Sequence, residues 1–238
     1  RDGRFVRAHG AYYLTIPVDE PPRVAENQGR VVALDPGMRS FITFFAEESC
    51  GKLAHGDFSR IQRLCAHLDT LMSMAETSKS HAKARRQKAA ARIRRKIRHL
   101  IDELHHKVAL FLVTNFDVIL LPTFETSQMV CKGARKLRKK SVRNMLTFAH
   151  YRFKRFLKQK AFEYGKTVLD VCEAYTSKTV SWTGEIIQNL GGRKVIQSRL
   201  DGQRMDRDWN GARGILLRAL EDTPLVRDLL EPCIVNVC

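Results

Sequence analysis

The sequence predicts a mixed α/β fold, a sheet with crossover helices, and three observations carry that reading. Short apolar and aromatic runs near the start are separated by turn signals so close together that their strands must pair antiparallel. The apolar period then changes to threes and fours from about residue 59 to 114. Two later apolar runs, 118–121 and 167–172, are each reached only after a helical stretch, which is how a crossover brings a strand back to the same sheet.

Taken in order, 11–18 reads as a strand halted at Glu20-Pro21-Pro22. The run 31–37, Val-Val-Ala-Leu-Asp-Pro-Gly, is an apolar strand ending in an acid and a turn signal. Residues 40–45 and 52–55 supply two more strands around a turn at 48–51. Ile93, Ile97, Leu100, Ile101, Leu104, Val108, Phe111 and Leu112 form one apolar helical stripe. Pro122 closes the strand 118–121, and 132–143 reads as a basic loop. A helix follows over about 144–164, with Met145, Phe148, Ala149, Phe153, Phe156 and Leu157 inward, and Gly165 ends it before the strand 167–172. After Tyr175 the chain is polar and glycine-containing until Asp206, where a last helix opens with acids, as the helix dipole favours.

Composition narrows the function. The chain has 238 residues and 44% hydrophobic side chains, enough for a packed core and too many for wholesale disorder. Lys and Arg number 42 against 25 Asp and Glu, a formal net charge of +17, a self-repelling surplus expected to meet a polyanion. No apolar stretch is long enough for a spanning helix, so no membrane role is expected. The opening Arg1-Asp2-Gly3-Arg4 carries no apolar signal region and reads as a piece of a longer polypeptide continuing N-terminally. Six scattered cysteines lack any C-x-x-C spacing, which favours reduced intracellular thiols over disulfides or a cysteine zinc site.

Two basic stretches are candidate phosphate-binding surfaces. Residues 83–98 hold nine Lys or Arg and no acid, among them Lys83, Arg85, Arg86, Lys88, Arg92, Arg94, Arg95 and Lys96. The stretch 132–143 holds seven: Lys132, Arg135, Lys136, Arg138, Lys139, Lys140 and Arg143. A solvated helix face is the plain alternative, but like charges at this density repel unless a backbone of phosphates neutralises them. Phe148, Phe153 and Phe156 read as core, Trp182 as a base-stacking candidate, and His105 and His106 as packing or surface residues.

Three acids stand where strands or helices end: Asp35, Glu173 and Asp208. Carboxylates at neighbouring strand ends can hold hard divalent cations, and a pair of such ions supports phosphodiester hydrolysis. Read alone, Asp35 before Pro36-Gly37 is as well a turn residue, and Asp206 and Asp208 are as well helix-start residues.

Together the motifs carry a resemblance. Leu34-Asp35-Pro36-Gly37-Met38-Arg39-Ser40-Phe41 resembles the first RuvC motif of the transposon-encoded TnpB proteins and their eukaryotic relatives, the Fanzor nucleases. Tyr175-Thr176-Ser177-Lys178-Thr179 resembles the family's Y-T-S-K-T segment, and 206–213, Asp-Arg-Asp-Trp-Asn-Gly-Ala-Arg, its D-R-D-x-N-x-A-R motif. Phe124-Glu125-Thr126-Ser127-Gln128-Met129 and the basic loop after it are closer to Fanzor.

The resemblance implies a RuvC nuclease domain with the RNase H fold, part of an RNA-guided DNA endonuclease acting in the nucleus. It implies two Mg²⁺ ions on Asp35, Glu173 and Asp208, a guide RNA of the omega-RNA type, and a target DNA. The family's usual glutamate position after the fourth strand is Pro122 here; Glu173 fits a relocated glutamate, with Glu125 the alternative third carboxylate. The family's two C-x-x-C zinc pairs fall on Val180 and Thr183 and on Ser198 and Asp201, so no zinc is expected. The implied organisation is the end of a preceding β-rich, wedge-like domain at 1–28, the nuclease domain at 29–179, a target-nucleic-acid-binding insertion at 180–204, and the last nuclease helix and tail at 205–238. Two rivals follow: a catalytically inactive RNA-guided DNA-binding descendant, and a structure-specific nuclease that needs no guide.

Overall fold

A computed structural model describes residues 2–8, 10–23, 28–37, 39–56, 58–123, 139–172, 176, 178–224 and 226–227, apart from the side chains of 58, 139–141, 144 and 145. These divide into two compact units, one formed by 1–21 with 56–107 and the other by 22–55 with 108–238.

The first unit holds a hairpin of β1 (Arg4–Ala8) and β2 (Ala11–Thr15), helix α1 (Phe58–Glu76) and most of α2 (Ser80–Asn115). The strand expected at 11–18 is thus shorter and has a partner, β1, that the short run Arg4-Phe5-Val6-Arg7, with no period-two alternation, did not advertise. The helical stretch breaks at 77–79 because Thr77 and Ser78 turn their hydroxyls back onto the carbonyl of Met74, competing with the helical ladder. The Arg86 guanidinium, 2.7 Å from the same oxygen, completes its satisfaction and holds α2 against α1.

The second unit is built on a five-stranded sheet in the order β5-β4-β3-β6-β7. Its strands are β3 (Val31–Pro36), β4 (Ile42–Ala46), β5 (Cys50–Leu53), β6 (Val118–Pro122) and β7 (Thr167–Val171). The first three pair antiparallel, as their short connections require, and β6 and β7 add on in parallel after helical crossovers. Helix α5 (Arg207–Asp222) covers the face bearing Val31 and Ala33, burying Ile215, Leu216 and Ala219 against Val118 and Leu120.

The opposite face carries Phe44, whose ring meets Phe111 and Phe116 at 5.6 and 6.1 Å, and at the turn Phe41 meets Phe148 and Phe153 at 5.2 and 4.9 Å. Phe148 and Phe153 are core residues, as their spacing suggests. The basic loop expected to run to 143 gives way earlier to a helix, α3 (Lys139–Phe148). The helix expected over 144–164 is interrupted at Ala149, which is left-handed at φ 51°, before α4 (His150–Glu163) begins. That break costs roughly 1–2 kcal/mol of backbone preference. It lies between Phe148 and His150, both of which turn to the Phe41 ring.

At the far end of the sheet from Asp35, Asp117 has a side chain only 1% exposed between Lys166 and Arg30. It also accepts the amides of Gln28 and Arg30 at 3.2 and 3.0 Å, so one buried carboxylate ties the starts of β3, β6 and β7 together.

Candidate functional site

Side chains on a strand alternate between faces, so Asp35 lies on the same face as Val31 and Ala33, the one under α5. Asp35 is opposite Thr43 on β4, and Thr43 is opposite Lys52 on β5, so Asp35, Thr43 and Lys52 form one row across the sheet. The hydrophobic core under α5 gives way to polar groups at this row.

Helix α5 arrives over the row with its first turn. Asp206 is its N-cap: the carboxylate accepts the amides of Asp208 at 2.9 Å and Trp209 at 3.4 Å. The Lys52 ammonium lies 2.7 Å from Asp206 Oδ2 and 3.3 Å from Asp208 Oδ2. Burial pushes the Asp206 carboxyl up, but the Lys52 and helix-amide hydrogen bonds outweigh it and hold it below the usual carboxylate range. Burial likewise depresses Lys52, and the two carboxylates more than reverse that, raising it above the ordinary lysine value. One turn on, Gly211 meets Asp35 so closely that a Cβ at 211 would stand 2.7 Å from Asp35 Oδ2.

The rest of the helix motif is structural. Asn210, fully buried, accepts the Ser181 amide at 2.8 Å and donates to the Thr179 carbonyl at 2.8 Å, while Arg213 donates to the Ser181 hydroxyl at 3.3 Å. These hydrogen bonds bind the second motif to the third. Asn210 and Arg213 stand three apart on one helix face, a spacing that marks a shared contact surface. Lys52 had no such signal, because only the sheet register brings it to Asp206 and Asp208.

Of the three acids singled out in the sequence, Asp35 and Asp208 come to the same edge of the α5–sheet contact. Glu173, and the alternative Glu125, lie outside the described residues. Anionic oxygen donors suit a hard divalent cation such as Mg²⁺. Among the described residues no three His, Cys, Asp or Glu side chains converge into a metal site.

Comparison with known proteins bears on this arrangement. The family described as the Cas12f1-like TNB domain matches residues 150–215. A TnpB-like protein of Acanthamoeba polyphaga mimivirus is 25% identical over 86% of this chain and 40% of its own length. A transposase-named protein of Paramecium bursaria Chlorella virus 1 is 28% identical over 89% of this chain and 48% of its own length. The structure of a CRISPR-Cas12f ternary complex superposes with a TM-score of 0.57 at 16% identity, covering 86% of this chain and 41% of that one. A Cas12f1–sgRNA–target DNA complex gives 0.55 at 17% identity, covering 89% and 54%. The chain is similar in sequence to TnpB-like and transposase-named viral proteins and shares its fold with the Cas12f structures. It spans less than half the length of the two viral relatives.

The match over 150–215 takes in the insertion before α5. Residues 178–187 fold back through the Thr179–Ile186 bridge, and β8 (Val195–Gln197) pairs with β9 (Arg204–Asp206). Val180, Ile187, Leu190 and Ile196 bury one another between them, with Trp182 and Met205 packed alongside. At the second of the two cysteine-pair positions, Ser198 Oγ accepts the amides of Leu200 and Asp201 at 3.1 and 3.4 Å. Asp201 accepts the Gln203 amide at 3.0 Å and the Trp182 indole N–H at 2.8 Å, which joins the two turns. Trp182, a stacking candidate from sequence, is therefore half-buried and committed at its N–H edge.

The basic candidates divide. Lys83, Arg85, Lys88, Arg92 and Lys96 are exposed along α2 and Arg95 is half-buried, while Arg86 and Arg94 turn toward Met74 and Met72 of α1. Arg143 is exposed on α3; 132–138 and the side chains of Lys139 and Lys140 lie outside what is described. Among the described residues no helix is long and apolar enough to cross a membrane.

Proposed function

We propose that this chain is the RuvC-type nuclease part, with an RNase H fold, of a Fanzor-like RNA-guided DNA endonuclease. The observation that carries it is the meeting of Asp35 and the Asp208 turn of α5: Asp35 packs on Gly211, and the Lys52 of its own sheet row is 3.3 Å from Asp208. Asp35, Asp208 and Glu173 would hold two Mg²⁺ ions, with Glu125 the alternative to Glu173. Bound there, the ions would supply activation of a water and charge stabilisation for phosphodiester hydrolysis. The chain's own contribution is to fix its described carboxylates: Gly211 admits the Asp35 carboxylate, and the capped first turn of α5 carries Asp208.

The exposed cations of α2, with those at 132–143, would neutralise the backbones of an omega-type guide RNA and of target DNA. The reading of sequence is left to base pairing, since phosphate contacts carry no sequence information. Similarity to a ternary complex and to an sgRNA–target DNA complex supports these partners. A preceding wedge-like domain, in a longer polypeptide, and action in the nucleus complete the proposal.

Asp35→Asn and Asp208→Asn in the full-length protein should abolish Mg²⁺-dependent cleavage of guide-matched DNA while guide and target binding persist. Wild-type cutting by either variant would remove the assignment. A second reading, guided binding without cutting, is favoured by Pro122 at the strand end where the family carries a glutamate. It expects the unaltered protein to bind and not to cut.

A further inference from the structure

Lys52 belongs to none of the three motifs, yet its ammonium bridges Asp206 and Asp208 at the start of α5. It stands on β5, at the sheet edge, two strands from Asp35 in the same row. Two strand spacings put about 10 Å between the two backbones. What it reaches is the start of α5. Asp206 divides its two oxygens between helix and sheet: Oδ1 accepts the amides of Asp208 and Trp209, and Oδ2 accepts Lys52 at 2.7 Å. The helix cap and the strand are therefore joined through a single carboxylate, and the residue next but one to that carboxylate is Asp208. The Lys52 and Asp206 side chains are 19% and 31% exposed, so solvent screens this pair less than an open surface pair. The ammonium also lies 5.8 Å from the Trp209 ring centre, which confines it further.

We propose that Lys52 is a positioning residue, one that locks the first turn of α5 to the sheet row of Asp35 and so sets where Asp208 stands relative to Asp35. The inference rests on the reading of Asp208 as a divalent-cation ligand. Charge alone predicts the opposite effect, because an ammonium beside a metal ligand repels a divalent cation. The geometry favours positioning: the distance to the cap, 2.7 Å, is shorter than the distance to Asp208, 3.3 Å, so Lys52 can keep the cap while Asp208 takes a cation.

The two effects have opposite signs, which makes the test direct. In the full-length protein with its guide, Lys52→Met and Asp206→Asn both break the ion pair, and Asn still caps a helix well. Hydrogen exchange across 206–211 should quicken about five- to tenfold in both variants without added metal. The Mg²⁺ concentration for half-maximal cleavage should rise by about the same factor, with target binding unchanged. Lys52→Arg should restore both readouts. Unaltered exchange, or a lower Mg²⁺ requirement in Lys52→Met, would overturn the proposal. An Asp208→Asn control separates the layers. If it cuts like wild type, the ligand reading falls and this inference with it; if it is dead while Lys52→Met and Asp206→Asn match wild type, only the role of Lys52 falls.

Discussion

The carboxylate of Asp35 rests on the α-carbon of Gly211, and no side chain fits between them: a Cβ at 211 would stand 2.7 Å from Asp35 Oδ2 and 3.5 Å from its Cγ. Two sequence motifs separated by most of the chain thus meet through an absent methyl group. Gly211 lies inside a helix, where glycine costs about 1 kcal/mol relative to alanine, and the close approach is what that cost permits.

Gly211→Ala should therefore separate stability from activity. The helix gains about 1 kcal/mol of propensity and loses a similar amount in displacing Asp35, so the melting temperature should stay within a few degrees. Cleavage should fall about a hundredfold, the usual result of moving a reacting group by an ångström. Wild-type cleavage by this variant would show that Asp35 need not stand against the helix.

The third carboxylate is open to a paired test. Pro122 is level with Val171 in the β6–β7 register, so Glu173 follows its strand end by two residues and Glu125 follows Pro122 by three. A ligand held close to a strand end is better fixed than one further along a loop. Glu173→Gln should lose nearly all cleavage and Glu125→Gln should keep most of it. The reverse pattern would transfer the role to Glu125 and leave the nuclease reading intact.

The insertion should stand without zinc, its two turns held by the Trp182–Asp201 hydrogen bond and the Val180–Ile196 cluster. Elemental analysis should find no stoichiometric zinc, and chelators should leave the melting temperature unchanged. Trp182→Phe and Asp201→Asn should each quicken hydrogen exchange within 180–204 and leave the Asp117 end of the sheet alone. One zinc per chain would refute this.

Acid should loosen the fold at the Asp117 end of the main sheet and at the start of α5. Burial pushes the Asp117 carboxyl up, but hydrogen bonds from Lys166 and Arg30 prevail and hold it below the usual value. A depressed carboxyl contributes stability that is present above its unfolded value, about 3.9, and is lost as pH falls through the lower folded value. Asp206 follows the same sign at the start of α5. Stability should thus decline steeply below about pH 4. Asp117→Asn should cost about 3–5 kcal/mol at neutral pH, because it removes the charge of a carboxylate only 1% exposed from its ion pairs with Lys166 and Arg30. The variant's stability should change less on acidification than the wild type's.

Salt dependence tests the basic helix. Replacing the exposed Lys83, Arg85, Lys88 and Arg92 by glutamine should weaken nucleic-acid binding and flatten its dependence on salt. Each phosphate that is no longer neutralised reduces the slope of log K against log salt by about 0.7–0.9. An unchanged slope would return this stretch to a plain solvated face.

The pattern of residues was enough to locate four of the five strands of the main sheet, because an apolar run bounded by turn signals has few other places to go; β5 runs Cys50–Leu53, two residues ahead of the expected 52–55, because its pairing with β4 takes up residues that read as turn. The pattern also located the start of α5, since Asp206 is a local signal acting on amides two and three residues on. The break at Ala149 was not legible, because aromatic packing of Phe148 and His150 on Phe41 draws the chain through a left-handed conformation that its own propensities disfavour. Asp35 and Asp208 are singled out by the family resemblance of their motifs; by local spacing alone they read equally well as a turn residue and a helix-start residue. That Gly211 makes room for Asp35, that Asn210 bridges to Thr179 and Ser181, and that Lys52 joins the cap of α5 to the sheet were decided only by the tertiary structure. Each is a meeting of residues far apart in the chain, fixed by strand register and helix phase, and one residue of slippage in either would turn these side chains to another face.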